Sequence, residues 1–390
     1  MQLPDFYEHY HPTKIIAGQR ALSCLPFEMG RFGVKTPLVV VDEKIYEAGF
    51  VHLLEQAFAD CGRKLAGVFS HGGRVCVETA QKISELFRRG GCDCFLTAGG
   101  GTAMDAAKAA ALLIARNGGG LPSETHLSLA APKIFSVPFT YAPGCQVSGL
   151  VELFDEENNR PLFYSSEDLI PRAAVLDPRA TLAVTPSARA VYAMEALFRS
   201  VEAAVVPEAN PVVSIHAKAA IGLLEKYLAP ALTGKKSKRE ADQAMANASL
   251  YAGIAFSQRS CGIVAAAAHA LRAVTGMEEG LAGAILLGPG LSFYSRSCAP
   301  QLADLAGAFA GLNRVLSAEN RTAAVLEAVS ALRDRTGLPQ NLREAGVARV
   351  QLEEVAQAAK RGPFFSDSLF CDEDIFALLE KAFWGEPCSN

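Results

Sequence analysis

A chain of 390 residues, half of them hydrophobic, can form two domains with well-buried cores. A formal net charge of −4, with 37 Lys and Arg against 41 Asp and Glu, leaves no basic excess; this argues against nucleic acid or an anionic membrane as partner and for small molecules. The opening Met1-Gln2-Leu3-Pro4-Asp5 has no basic or apolar leader region, no stretch reaches the roughly eighteen apolar residues of a membrane span, and the ten cysteines contain no CxxC pair, so reduced thiols and a cytoplasmic location are expected.

Pro37-Leu38-Val39-Val40-Val41-Asp42 predicts a buried strand, and Gly49 to Cys61 and Glu78 to Arg89 carry helical periodicity. Cys92 to Ala98 predicts the next strand, with Cys92 and Cys94 as core residues on it. Ile134 to Pro138 and Ala173 to Asp177 predict two more, separated by a hairpin around Asp155 to Arg160. Alternation of this kind builds a parallel sheet with covering helices. At Thr185-Pro186 the strand signal stops, with Thr185 as N-cap and Pro186 at the first helical position. Helices are expected at 187–205, 210–228, 239–272, 300–316, 320–336, 350–360 and 372–384. Gly118-Gly119-Gly120 reads as a turn and Lys235 to Arg239 as a solvated loop.

The strand Cys92 to Ala98 runs into Gly99-Gly100-Gly101-Thr102, and a helix with Asp105 and Lys108 follows. Glycines let the backbone approach a pyrophosphate closely, and amides at a helix N-terminus supply an anion site. The complete string from Gly99 to Lys108 resembles the GGGSxxDxAK element of iron-containing (group III) alcohol dehydrogenases. Pro12 to Gly18 resembles that family's PTKIIFG segment, Val175 to Thr181 its IVDPELT segment, and Gly253 to Val264 and Leu281 to Leu287 match in order and spacing. The resemblance covers nearly the whole chain. It implies an α/β dinucleotide-binding domain with a parallel sheet over residues 1–185 and an all-α substrate domain over 186–390.

The resemblance further implies that Gly99, Gly100, Gly101 and Thr102 cradle a pyrophosphate and that Thr140 is another cofactor contact. It places Asp42 at the acid that faces the adenosine ribose, which favours NAD over NADP because a carboxylate there repels a 2′-phosphate. The residues themselves leave a second reading, in which Asp42 caps the helix that follows it. The Ser and Glu of the family's TTAGTGSE loop appear as Cys145 and Gln146 in the segment Phe139 to Gln146, at the place where nicotinamide and substrate are expected to meet.

In the family one Asp and three His hold iron or zinc, which polarises the carbonyl oxygen for hydride attack. The GMDALTH segment with the first two ligands reads Ala193-Met194-Glu195-Ala196-Leu197-Phe198-Arg199 here, so Glu195 replaces the Asp and Arg199 the His. The HxMAH segment reads Ala265 to His269, where Ala265 replaces a ligand and His269 keeps the non-ligand histidine; Glu279 replaces the histidine of the PHG turn. A guanidinium does not coordinate a cation and a methyl has no lone pair, so no catalytic metal is expected. Glu195 and Arg199, four apart on one helix, can pair, with Glu279 completing a charged cluster.

Three readings remain open from the sequence. The leading one is an NAD(P)H-dependent reductase of a small aldehyde, ketone or imine, with a carboxylate or phosphate on the substrate suggested by Arg199, Arg259 and Arg272, a place in specialised biosynthesis, and a homodimeric assembly. In it Arg199 is the electrophile or anion anchor and His269 a proton donor. The second is a pseudoenzyme that keeps the fold and the dinucleotide site, has lost hydride chemistry and serves as a binding or assembly partner; apart from it, the cluster of Glu195, Arg199 and Glu279 can also be read as only filling the hole left by a metal. The third keeps a metal through Glu195, Glu279 and His269.

Overall fold

A computed structural model describes residues 5–385 except 118–120, 123–126, 129, 140–143, 159, 182–184, 207–209, 234–237, 258–261, 311, 313–316 and 367–368. The sequence readings for Thr140, Arg259, the Gly118 to Gly120 turn and most of the Lys235 to Arg239 cluster fall outside the described residues. The chain divides into two compact units, one of residues 11–184 and one of residues 185–390 joined by the N-terminal segment through Tyr10.

The first unit runs β1 (Lys14–Ala17), α1 (Leu25–Arg31), β2 (Pro37–Asp42), α2 (Glu43–Glu47), α3 (Val51–Ala59), β3 (Gly67–His71), α4 (Val77–Arg89), β4 (Cys94–Gly99), α5 (Gly101–Ala115), β5 (Lys133–Pro138), β6 (Leu150–Asp155), β7 (Arg160–Ser165) and β8 (Ala173–Leu176). Six strands form one sheet in the order β1-β8-β5-β4-β2-β3, every pair parallel, and β6 and β7 form a separate antiparallel hairpin. The sheet is apolar on both faces because both are covered. Val39 and Val41 pack with Leu25, Met29, Leu54 and Phe58 on one side, while Leu38 and Val40 pack with Ile83, Phe87 and Ala106 on the other.

The expected parallel sheet is present, but β1 and β3 are strands that the sequence reading did not assign. The segment Lys14–Ala17 is only four residues long and pairs with Ala173–Leu176 across the chain; no local pattern announces such pairing. Cys92 precedes β4, where Cys94 is buried in the core and Cys92 is half-buried.

The second unit is helical: α6 (Pro186–Val205), α7 (Pro211–Thr233), α8 (Lys238–Ser257), α9 (Ile263–Thr275), α10 (Glu279–Ser297), α11 (Ala299–Asp304), α12 (Ala318–Asp334), α13 (Leu352–Lys360) and α14 (Asp372–Trp384). Thr185 caps α6, its hydroxyl oxygen accepting from the Ala188 amide at 3.2 Å, and Pro186 opens the helix. The expected single helix over 239–272 is two, α8 and α9, the latter starting after Gly262. Helix α10 went unassigned in the sequence because Gly288 and Pro289 lie inside it, and the expected helix over 300–316 is the short α11. The eight cysteines described are free, and among the described residues no helix is long and apolar enough to cross a membrane.

Candidate functional site

In the α/β unit, β2 connects outward to β3 and β4 outward to β5, so the carboxyl ends of β2 and β4 flank the point where the winding reverses. Open α/β sheets take ligands in that crevice. Asp42 ends β2, Gly99 ends β4, and α5 begins at Gly101. Gly99 has φ 152°, which side-chain-bearing residues rarely adopt, and a Cβ there would overlap Oδ2 of Asp42. Thr102 is half-buried in the first turn of α5.

Asp42 makes no cap bond to α2, so that reading of the sequence is corrected. Its carboxylate reaches across the crevice instead: Oδ2 accepts from the Gly100 amide at 2.5 Å and Oδ1 from the Ala103 amide at 3.1 Å. Burial pushes its pKa up, while the two amides and His71, its register partner on β3, pull it down.

Lys108 of the same motif is fully buried and points to the following loop, its Nζ donating to the carbonyls of Cys145 at 2.9 Å and Leu150 at 3.1 Å. Burial lowers its pKa. The Cys145 thiol packs against the phosphate loop, 3.4 Å from where a Cβ on Gly101 would stand, and Gln146 beside it is buried. Lys108 thus acts as a strut that holds the Cys145 segment, a role its place in the motif does not reveal.

The second cluster lies within the helical unit. Arg199 donates from Nη2 to Oε1 of Glu279 at 2.7 Å, at the start of α10, and the same nitrogen pairs with Oε1 of Glu195 at 2.8 Å, one turn earlier on α6. His269 on α9 places Nδ1 3.9 Å from the other Glu279 oxygen, and Arg272 places Nη1 at the same distance. The first four side chains are about 90% buried or more, whereas Arg272 is 43% exposed. The guanidinium carbon of Arg199 stands 4.9 Å from the Phe256 ring centre, and His269 meets Phe364 edge-on at 5.3 Å. The four expected residues Glu195, Arg199, His269 and Glu279 therefore come together.

Burial and the competition for one guanidinium separate the two acids. Burial pushes Glu195 up to about 7, with Glu279 adding to the rise and Arg199 opposing it. Burial acts on Glu279 in the same direction, but Arg199, His269 and Arg272 outweigh it and hold that carboxyl well below the usual range.

One turn beyond Arg199, the buried Glu202 was missed. It accepts from the Val264 and Ala265 amides, each at 2.8 Å, and from the Tyr294 hydroxyl at 2.5 Å, and so caps the N-terminus of α9. Burial pushes its carboxyl up to about 7. Its spacing was legible, since positions 195, 199 and 202 share one face of a helix. Its amide partners were not.

These residues do not suit a transition metal. A guanidinium nitrogen stands between the two carboxylates, and Ala265, which the resemblance sets at another ligand place, offers only a fully buried methyl. Glu195, Glu279 and His269 do not gather their donor atoms; among the described residues Cys76, Glu78 and Glu156 are the group that does, and two of those three are exposed acids.

Comparison with known proteins matches residues 12–178 to the model of the iron-containing alcohol dehydrogenases and residues 189–383 to that of the C-terminal part of the same family. The chain is 31% identical over 310 residues to a 1,3-propanediol dehydrogenase of Klebsiella pneumoniae, covering 76% of this chain and 78% of that one. It is 29% identical over 377 residues to long-chain-alcohol dehydrogenase 1 of Geobacillus thermodenitrificans, with 94% of each covered. The structure superposes on that of a 1,3-propanediol oxidoreductase with a TM-score of 0.90 at 26% identity, over 97% of this chain and all of the other. With family models matching residues 12–178 and 189–383, the chain belongs to the iron-containing alcohol dehydrogenase family and is an oxidoreductase of the alcohol dehydrogenase type.

Proposed function

We propose that this protein interconverts a small aldehyde, ketone or imine and its reduced form with NAD, and that Arg199 replaces the metal of its relatives. The observation that carries this reading is the Arg199 guanidinium seated 2.8 and 2.7 Å from the carboxylates of Glu195 and Glu279, which the resemblance sets at ligand places of the family. Gly99, Gly100, Gly101 and Thr102 would hold the dinucleotide at the reversal point of the sheet, with Asp42 at its rim, and Thr140 and Cys145 would be further contacts. NAD is named because relatives include an NAD-dependent methanol dehydrogenase and because the acid at Asp42 disfavours a 2′-phosphate. When bound, the nicotinamide supplies or accepts the hydride.

The chain's own residues supply charge and a proton. Reduction of a carbonyl builds negative charge on oxygen, which a guanidinium can stabilise. Glu195, raised to about 7, can hold a proton near neutral pH, whereas Glu279 stays ionised and keeps Arg199 charged and in place. His269 lines the same cluster as a second proton-bearing group. Arg272, the most exposed cation here, favours a substrate with a carboxylate or phosphate.

The test is NADH oxidation against a panel of neutral and anionic small carbonyl compounds, with a chelator present. Turnover that survives chelation supports the proposal; turnover that appears only after iron or zinc is added refutes Arg199 as the replacement. The depth of the ion cluster also suits a second reading, a pseudoenzyme in which Arg199 is a plug. That reading gains if NADH binds and no carbonyl compound is turned over.

A further inference from the structure

We propose that Asp42 sets cofactor affinity by competing, as an internal anion, with the pyrophosphate for the amides of the phosphate loop. The inference rests on the NAD reading above and concerns the same crevice.

The Asp42 carboxylate is bound there as a ligand anion would be. Both oxygens are engaged, one by Gly100 and the other by Ala103, at the N-terminus of a 15-residue helix whose dipole favours negative charge. Gly99 allows the approach, since any Cβ at that position would overlap the carboxylate. Amides at a glycine-rich turn and in the first turn of a helix are donors suited to a pyrophosphate, and each N–H has one hydrogen to give. A pyrophosphate that takes them must displace Asp42, and two anions side by side would repel. Burial raises the pKa of Asp42 in spite of its two amide bonds, so the ionised carboxylate is held there at a cost. Once displaced, it can turn to the ribose hydroxyls, the partners expected for an acid at the end of this strand.

For a probe that has no ribose, a ribose contact alone predicts no change when Asp42 is replaced, whereas a competing anion predicts tighter binding. Inorganic pyrophosphate and, separately, NADH would be titrated by calorimetry into wild-type protein, Asp42→Ala and Asp42→Asn, with circular dichroism to confirm folding. Pyrophosphate should bind Asp42→Ala about tenfold more tightly than wild type, as expected when one charged competitor is removed. Asp42→Asn, which keeps an acceptor oxygen but loses the charge, should fall between them. If Asp42→Ala fails to fold, the Asn variant carries the comparison with the same sign. Pyrophosphate binding that is equal or weaker in the folded variants, or undetectable in all forms while NADH binds, overturns the proposal and would make Asp42 a scaffold for the loop. Failure of NADH to bind the wild-type protein refutes the cofactor reading itself, and this inference with it.

Discussion

Arg199 concentrates the question at the scale of one residue, because the same two ion pairs suit an electrophile and a plug. If it stabilises developing charge, Arg199→Ala should lower kcat by roughly a hundred- to a thousandfold, the range for loss of one positioned donor. Arg199→Lys should recover part of that, since an ammonium keeps the charge but not the planar guanidinium. Loss of an anion anchor would appear mainly in KM. Steady-state kinetics of both variants beside their melting temperatures give the answer: wild-type kinetics with altered stability would return Arg199 to a structural role. The sequence identified this residue by what it could not do, which is ligate a metal. The sharing of one nitrogen between two acids from different helices required coordinates.

At the scale of elements, the cluster depends on how closely α10 lies against α6. Gly283 on α10 faces Phe198 on α6, and a Cβ at 283 would overlap the fully buried ring. Gly280 meets the Val191 backbone carbonyl in the same way. Gly283→Ala should therefore destabilise the protein by about 1–3 kcal/mol, as overpacking of a filled core does, and should disturb Glu279 at the head of α10. Denaturant unfolding checks the first point; a variant as stable as wild type would show that the helices separate easily. In the other unit, Gly100→Val should abolish NADH binding by blocking the backbone, measured by fluorescence titration, and unchanged affinity would remove the loop from the site. Glycines were legible as a loop where they followed a strand, whereas Gly280 and Gly283 carried no local sign of the neighbours they admit.

For the whole molecule, Glu202 predicts the pH dependence of stability. Its carboxyl is at about 7 when folded and near the ordinary 4.5 when unfolded, so the folded state binds more protons between those values. The contribution to stability is thus fully present below about 4.5 and is lost as pH rises through 7, by about 3 kcal/mol if the whole shift is realised. Glu279 acts with the opposite sign: its carboxyl is depressed by its cations, and that stabilisation disappears only as pH falls below the ordinary range. Glu195, also raised to about 7, adds a decline of the same sign, so urea unfolding from pH 5 to 8 should show declining stability that Glu202→Gln reduces without abolishing; an unchanged slope would assign the decline to other groups. Protein purified from iron- and zinc-supplemented medium should hold less than one equivalent of either metal, by elemental analysis, because Arg199 and Ala265 supply no donor. One tightly held equivalent, lost when Glu195 and Glu279 are both changed to Ala, would contradict the assignment.

The amino-acid sequence by itself determined the parallel sheet, the start of the helical half at Thr185, the Gly99 to Gly101 loop and the grouping of Glu195 with Arg199 on one helix. Each of these is written in neighbouring residues, as apolar runs, a cap followed by proline, or a motif of fixed spacing. Only the tertiary structure decided where Asp42 and Lys108 point, that β1 pairs with β8 some 160 residues away, and that Glu202 holds the start of α9. The reason is physical: a carboxylate or ammonium buried without water takes whichever amide, carbonyl or counter-charge the fold brings within about 3 Å, and partners so distant in the chain leave no pattern in it.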